Sequence, residues 1–331
     1  MRHRPSRAFP AARTQRGLTL VEIMVAMTLG LILLGGVLQI FLSNRQAYRV
    51  QEVSSRLQEN VRHAVESLAS DLRAADFFGC VNRNQVTNNL DPAGAGFEEF
   101  SASGIMGEDG PAGTPDSITI NGAFGTPLQV QPPYGPQPSA NIKVAAPSEL
   151  TVGDIVLVSD CTSGDIFQIT SGNPGHNGVL VHNTGAAVSP GNYNPDSCSG
   201  GNAHCLSKVY KGDAYVYRVQ SVTYSVGAGA GGAPALFRNG QELVEGVENM
   251  QILYGEDTDE DGVPNRYLPA DEVNSLDGVT SIRISLLIRS LDDNVTLEPQ
   301  TYTYNGATIT ASDRRLRRVV TMTVSLRNRL P

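Results

Sequence analysis

The chain has 331 residues and a net charge of −8, which leaves room for one or two domains with a substantial core. The acidic balance excludes a general nucleic-acid-binding surface, which needs a basic face. The many Gly and Pro residues (34 and 19) predict long irregular loops. Residues 1–17 form a basic leader, with Arg2, Arg4, Arg7, Arg13 and Arg16 and no acid. Arg-rich, acid-free flanks stay on the cytoplasmic side of a membrane. Residues 18–42 follow as an apolar stretch whose one ionisable residue is Glu22. About 20 apolar residues span a bilayer, so 18–42 is expected to be a transmembrane half-helix. A secretory signal is cut after its apolar stretch, at a site of small residues. Here the leader ends before the stretch. The helix is therefore expected to be kept after processing, with the bulk of the chain outside the cytoplasm. A carboxylate inside such a stretch is expensive to bury and marks function.

Residues 43–79 continue as an amphipathic half-helix. Val50, Val53, Leu57, Val61, Val65, Leu68, Leu72 and Ala75 recur at steps of three and four, one face of a 3.6-residue period. Glu52 with Arg56 and Glu59 with Arg62 sit at i,i+4 and i,i+3 on the polar side. No Pro interrupts residues 18–76, which predicts one helix of about 59 residues, roughly 90 Å long. Gly35-Gly36 mark a candidate bend, and Gly79 is the expected C-cap.

Beyond residue 80 the periodicity changes. Residues 91–115, 131–149 and 171–206 read as Gly-, Pro- and Asn-rich loops. Residues 117–120, 154–160, 166–170, 214–226, 236–239, 250–254, 280–289, 301–305 and 319–326 read as strands. Residues 80–331 are thus expected to form a β-rich, mostly antiparallel domain. Its apolar face should pack on the amphipathic half-helix, an α+β arrangement.

The four cysteines, Cys80, Cys161, Cys198 and Cys205, suit disulfides in an exported domain and allow three pairings. Cys198–Cys205 would close a short Gly/Asn-rich loop, and Cys80–Cys161 would tie the helix end to a strand. His176, His182 and His204 near Cys205 match no standard zinc spacing.

Asp257-Thr258-Asp259-Glu260-Asp261-Gly262-Val263-Pro264-Asn265 resembles the start of a calcium loop. Asp257, Asp259 and Asp261 can converge on one Ca2+ because Gly262 permits the sharp turn. Val263 would offer its carbonyl, and Asn265 holds the ninth place. The twelfth place is Leu268 rather than Glu, so Asp271 or Glu272 would have to complete the set. The alternative is a solvated acidic turn.

Gly227, Gly229 and Gly232 match GxGxxG, but Pro234 and a strand follow where a dinucleotide site needs a helix. No GxSxG, P-loop or HExxH motif occurs. Arg314, Arg315, Arg317 and Arg318 precede the last strand and read as a solvated edge that opposes aggregation.

The basic leader ending in Gly17, an apolar Leu18 and Glu22 at the fifth place resemble the class III signal of type IV pilins. The resemblance implies cleavage between Gly17 and Leu18 by a prepilin peptidase, then N-methylation at Leu18. GLTLVEIMVAMTLGLILLGG, DLRAADFFGC, GDIVLVSDCTSGDIFQIT, ALFRNGQELVEGVENMQILYGEDTDEDG, SIRISLLIRS and RRVVTMTVSLRNR together look like the minor pilin family PilW. That family is related to the J-type pseudopilins of type II secretion. Leu18 departs from the usual pilin Phe.

The family resemblance implies a type IV pilin-like α+β fold and a non-enzymatic role. It implies partners among other minor pilins, the major pilin and the inner-membrane assembly platform, with a tip adhesin as a further candidate. It also implies passage from the inner membrane and periplasm to the cell surface. Cleavage removes the leader's five Arg, which takes the charge from −8 to about −13. It also frees an ammonium at Leu18, a natural partner for Glu22 of a neighbouring subunit. Three functions stay open: a minor pilin priming assembly, a pseudopilin at a secretion tip, and a ligand-binding tip module.

Overall fold

The computed structural model describes residue 17 and residues 19–100, 103–184, 187–193 and 204–329. Residues 1–16 of the leader, Leu18 and Cys198 lie outside these. The chain divides into two compact units, Met1–Glu52 and Val53–Pro331. One helix, α1 (Leu20–Ala74), supplies the regular structure of the first and opens the second. It runs through Gly35-Gly36 without a break in its helical backbone.

Within Val53–Pro331, α1 buries Val53, Leu57, Ala64, Leu68, Ala69 and Leu72. Val61 and Val65 are only partly covered, and Ala64 and Ala69 join the face because small side chains let the sheets approach. On the polar side Arg62 pairs with Glu66 at 2.8 Å; both are exposed. The helix stops before the expected Gly79. Asp76 takes the left-handed conformation (φ 58°), which Asp tolerates better than most residues. Asn328, at the far end of the chain, donates to the carbonyls of Arg73 (3.1 Å) and Ala75 (2.8 Å). It thereby satisfies groups that a helix end leaves open.

The strands, in chain order, are β1 (Val86–Asn88), β2 (Ile105–Glu108), β3 (Ser117–Gln129), β4 (Ile142–Lys143), β5 (Ile155–Ser159), β6 (Gly164–Gln168), β7 (Ser171–Asn173) and β8 (Val179–Val181). They continue as β9 (Tyr215–Ala228), β10 (Pro234–Arg238), β11 (Gln241–Glu245), β12 (Val247–Glu256), β13 (Arg266–Leu268), β14 (Val279–Arg289), β15 (Thr301–Tyr304), β16 (Ala307–Thr310) and β17 (Arg317–Ser325). The alternating, β-branched β9 is the spine of an eight-stranded sheet. β3 pairs along one of its sides; β5 and then β10 pair along the other. The second sheet has the order β13-β12-β14-β17 and is antiparallel throughout. The α+β reading holds.

Both sheets and the buried face of α1 share one core, with Leu57, Leu68, Leu72, Ile118, Val222, Tyr224, Met250, Ile252, Ile284 and Leu286 at its centre. Asp71, on the buried side of α1, accepts from Tyr224 Oη (2.7 Å) and Arg238 Nε (2.8 Å), a polar clip between helix and sheet. The stretches read as loops correct the sequence reading. Residues 131–149 contribute β4, and residues 171–206 contribute β7, β8 and a short helix, α2 (Pro174–Asn177). They form a separate three-stranded sheet and a second core of Val130, Ile142, Val144, Leu150, Phe167, Leu180, Leu206 and Tyr210. Widely spaced apolar anchors suffice there, because β4 and β8 bury one side chain each and β7 none.

Candidate functional site

Gly17 is exposed, with no neighbour within 4 Å of where a side chain would start. Thr19 and Glu22 open α1 as a capping box. Thr19 donates its backbone N–H and its Oγ1 to Glu22 Oε2, both at 2.9 Å. The Glu22 N–H donates back to Thr19 Oγ1 at 3.3 Å. The sequence reading passed over Thr19, although Thr-x-x-Glu before an apolar run is a helix-start signal. From Leu20 to Leu42 the large apolar side chains are exposed: Leu20 is 75% and Ile32 69% accessible. Such a surface requires lipid or other protein around it.

The acidic loop joins β12 to β13. One carboxylate oxygen from each of Asp257, Asp259 and Asp261 lies within 4.8 Å of the others. Gly262 (φ 84°) and Glu260 (φ 61°) make the turn. The N–H groups of Glu260 and Gly262 donate to Asp257 at 2.8 Å each. Desolvation works against the Asp257 charge, but backbone donation led by Gly262 outweighs it and holds the carboxyl below its ordinary range. Val263 is exposed and donates its N–H to Asp261 Oδ1 at 2.8 Å.

Asn265 turns its Oδ1 to Thr258 and its Nδ2 to Asp259 Oδ1 (3.2 Å), so a cation would require its amide to turn over. Asp271 is engaged elsewhere: its N–H donates to Asp109 Oδ2 at 2.8 Å, and contact with the Asp109 carboxylate raises its own carboxyl. Three carboxylates and a turn carbonyl are hard oxygen donors of the kind calcium takes.

Cys80 and Cys161 are joined, with Cα atoms 4.7 Å apart, so the residues after the helix are tied to the end of β5. Cys205 is also disulfide-bonded; Cys198, its expected partner, lies outside the described residues. Beside Cys205, His204 lies 3.0 Å from His182, Nδ1 to Nδ1, in the second core.

The arginine cluster is solvated only in part: Arg314 and Arg318 are exposed, as a solvated edge requires, and Arg315 and Arg317 turn inward. Arg317 is buried and donates to Glu248 (2.8 and 2.9 Å) and Asp313 (2.5 and 3.0 Å). Hydrogen bonding from Arg317 pulls the Asp313 carboxyl down to about 2. Arg315 donates to the Ser290 carbonyl at 3.2 Å. The acids that draw these side chains inward stand up to 69 residues away in sequence, beyond any local pattern. At the end of α1, Arg83 joins Asp76 (3.3 Å) to Asp277 (2.7 Å), and Arg329 also pairs with Asp76. These paired charges line a cleft of about 410 Å³ that serves the join between the helix end and the chain's last turn.

A family model described as Type IV Pilus-assembly protein W matches residues 223–328, and one described as Prokaryotic N-terminal methylation motif matches residues 12–38. No curated protein and no solved structure gives a match. The first matched segment runs from the second half of β9 through β17, and the second spans the leader junction and the opening turns of α1. The second core, built from residues 130–216, lies outside both.

Proposed function

We propose that this chain, a type IV pilus minor pilin of the PilW family, helps initiate pilus assembly and sits at or near the pilus tip. It is a structural component anchored by its apolar helix. The observation that carries the reading is the junction at Gly17 leading into the exposed apolar half of α1. In this reading the peptidase cuts between Gly17 and Leu18, and Leu18 is N-methylated. The mature helix stays in the inner membrane with its globular domain in the periplasm until extraction into the pilus.

Glu22 holds the first turn through Thr19 in the single chain. On assembly it meets a neighbouring subunit's Leu18 ammonium, which sets the axial register of each incoming subunit. Other minor pilins, the major pilin, the assembly platform and a tip adhesin are the partners this places around it. Cells carrying Gly17→Phe should hold an unprocessed precursor, read by intact mass of the membrane-extracted protein. Glu22→Ala should be cleaved normally yet fail to enter pili. Cleavage at another position, or normal incorporation of Glu22→Ala, would refute the reading.

The convergence of Asp257, Asp259 and Asp261 favours a second element, a Ca2+ held by that loop. Like charges this close repel without a cation. Binding to the folded state alone raises stability by about 2.7 kcal/mol at a hundredfold excess over Kd. Melting of the full chain in micelles should rise with calcium over chelator, and Asp257→Ala with Asp259→Ala should remove the difference. No calcium-dependent shift at millimolar concentration makes the loop an acidic turn.

A further inference from the structure

Among the described residues, the outermost strands of the two larger sheets are short, with one exception. β1 and β13 have three residues each, β2 four and β11 five. β17 has nine, pairs only with β14, and lies at the side of its sheet. Proteins guard such edges by keeping them short, charged, bulged or interrupted by Pro. Residues 319–326 (VVTMTVSL) hold no charge, no Pro and no Gly.

The direction of the backbone groups follows from the contacts at the two ends. The Leu326 N–H donates to the Thr280 carbonyl, so the even-numbered residues face β14. Arg317 turns its N–H and carbonyl the other way, to the Gln300 side chain (2.7 and 2.9 Å). Val319, Thr321, Thr323 and Ser325 share that outward phase. Gln300 occupies the edge at Arg317; beyond it the outward groups present a row of donors and acceptors. The side chains behind this row are anchored. Val324 and Leu326 are buried in the first core, and Thr321 and Thr323 meet Ser285 (2.9 Å) and Arg283 (3.4 Å) on the outer face. The edge is therefore preformed.

Exposed Arg318 and Arg327 bracket the row, and no acid stands between them. Two copies pairing antiparallel through β17 would set Arg318 of each beside the Arg327 end of the other. Like charges across a strand pair are unfavourable, so the charge pattern disfavours a second copy. The same pattern suits a strand with acidic ends.

We propose that the open edge of β17 is an interaction surface that receives an extended strand of another protein, uncharged and β-branched in its middle and acidic at its ends. Main-chain hydrogen bonds supply the affinity, and the flanking arginines supply the selection. The proposal goes beyond the pilus reading and does not depend on it.

The test uses the full chain in detergent micelles, with amide exchange read residue by residue. The probe is a synthetic peptide of alternating Val and Thr with Glu pairs at both ends, compared with the same peptide ending in Lys pairs. Exchange at Val319, Thr321 and Thr323 should slow by about tenfold or more with the Glu-ended peptide and stay unchanged with the Lys-ended one. Thr321→Pro removes one outward N–H at a position where an edge strand tolerates Pro, and should abolish the protection. Thr321→Ala should keep it. Should Thr321→Pro disturb the sheet, Arg318→Glu with Arg327→Glu provides an independent variant that reverses the preference between the peptides. The proposal is overturned by no protection from the Glu-ended peptide, by equal protection from both peptides, or by concentration-dependent protection without peptide, which would mean that copies pair.

Discussion

The two larger cores within residues 53–329 are held by different means. The first is built from long regular elements: one face of α1 and strands of up to fourteen residues. Its buried polar contacts lie between these elements: Asp71, Tyr224 and Arg238 clip helix to sheet, and Asp116 accepts from the Ile252 N–H at 2.8 Å. The second is built from short strands and turns, and polar groups do more of its joining. Asp165 is fully buried and accepts from Asn89 (2.8 Å), Ser207 (2.5 and 3.0 Å) and Tyr210 (2.6 Å). Burial of Tyr210 first, and the Asp165 charge second, push the Tyr210 hydroxyl well above the ordinary range. His182 and His204 are almost wholly buried beside it. Where ladders are long, apolar area carries the core. Where they are short, side-chain hydrogen bonds must satisfy the backbone and fix the chain path.

The largest effect should come from the covalent join. The Cys80–Cys161 bridge spans 81 residues and links the end of α1 to β5, whose Val156 and Val158 belong to the second core. Replacing both cysteines by Ser should cost about 4 kcal/mol by loop-closure entropy. Denaturant unfolding of the full chain in micelles measures it; a loss below about 1 kcal/mol would mean that the bridge joins regions already fixed.

Truncation in the cores comes next. Leu72→Ala should cost about 3 kcal/mol and lower protection throughout the first core, because the helix and both sheets meet there. Leu180→Ala should remove a similar local amount while raising exchange chiefly in β4, β5, β6 and β8. Equal spread of both effects would show one cooperative unit and erase the contrast.

The smallest effect separates the cores by acid. His182 Nε2 faces the Ala140 carbonyl (3.1 Å) and so carries its proton there; Nδ1 then accepts from His204. Among the described residues, His204 Nε2 is buried and has no hydrogen-bond partner. Burial first, and His182 second, lowers His204 to about 3, and burial lowers His182 as well. Both groups bind fewer protons folded than unfolded. Stability is therefore complete above their unfolded value near 6.5 and falls as pH drops from there toward 3. From pH 6.5 to 5.5 the loss should be up to about 1 kcal/mol for each histidine, confined to exchange in the second core. His204→Leu should flatten that dependence, whereas an equal acid response in β12 and β14 would refute it.

Legibility followed the range of the forces involved. The continuous helix, its apolar face and the long strands β9, β12, β14 and β17 were readable from period and composition, since neighbours within a turn or a pleat set them. β7 and β8 were not, because each strand of three residues gains its stability from partners across the sheet. The Asp257 turn was readable down to Gly262, while the orientation of Asn265 was not, because Thr258 competes for its oxygen.

The sequence by itself determined the basic-to-apolar junction at Gly17, the membrane-length helix and the α+β class, and left three cysteine pairings open, of which the structure shows Cys80–Cys161. These rest on local period, on charge and on net apolarity. Only the tertiary structure decided that Arg317 is buried on Glu248, that Asn328 covers the carbonyls ending α1, and that β17 is left with an open edge. Each depends on groups far apart in the chain meeting in one place, and no local pattern encodes which of many distant partners will arrive.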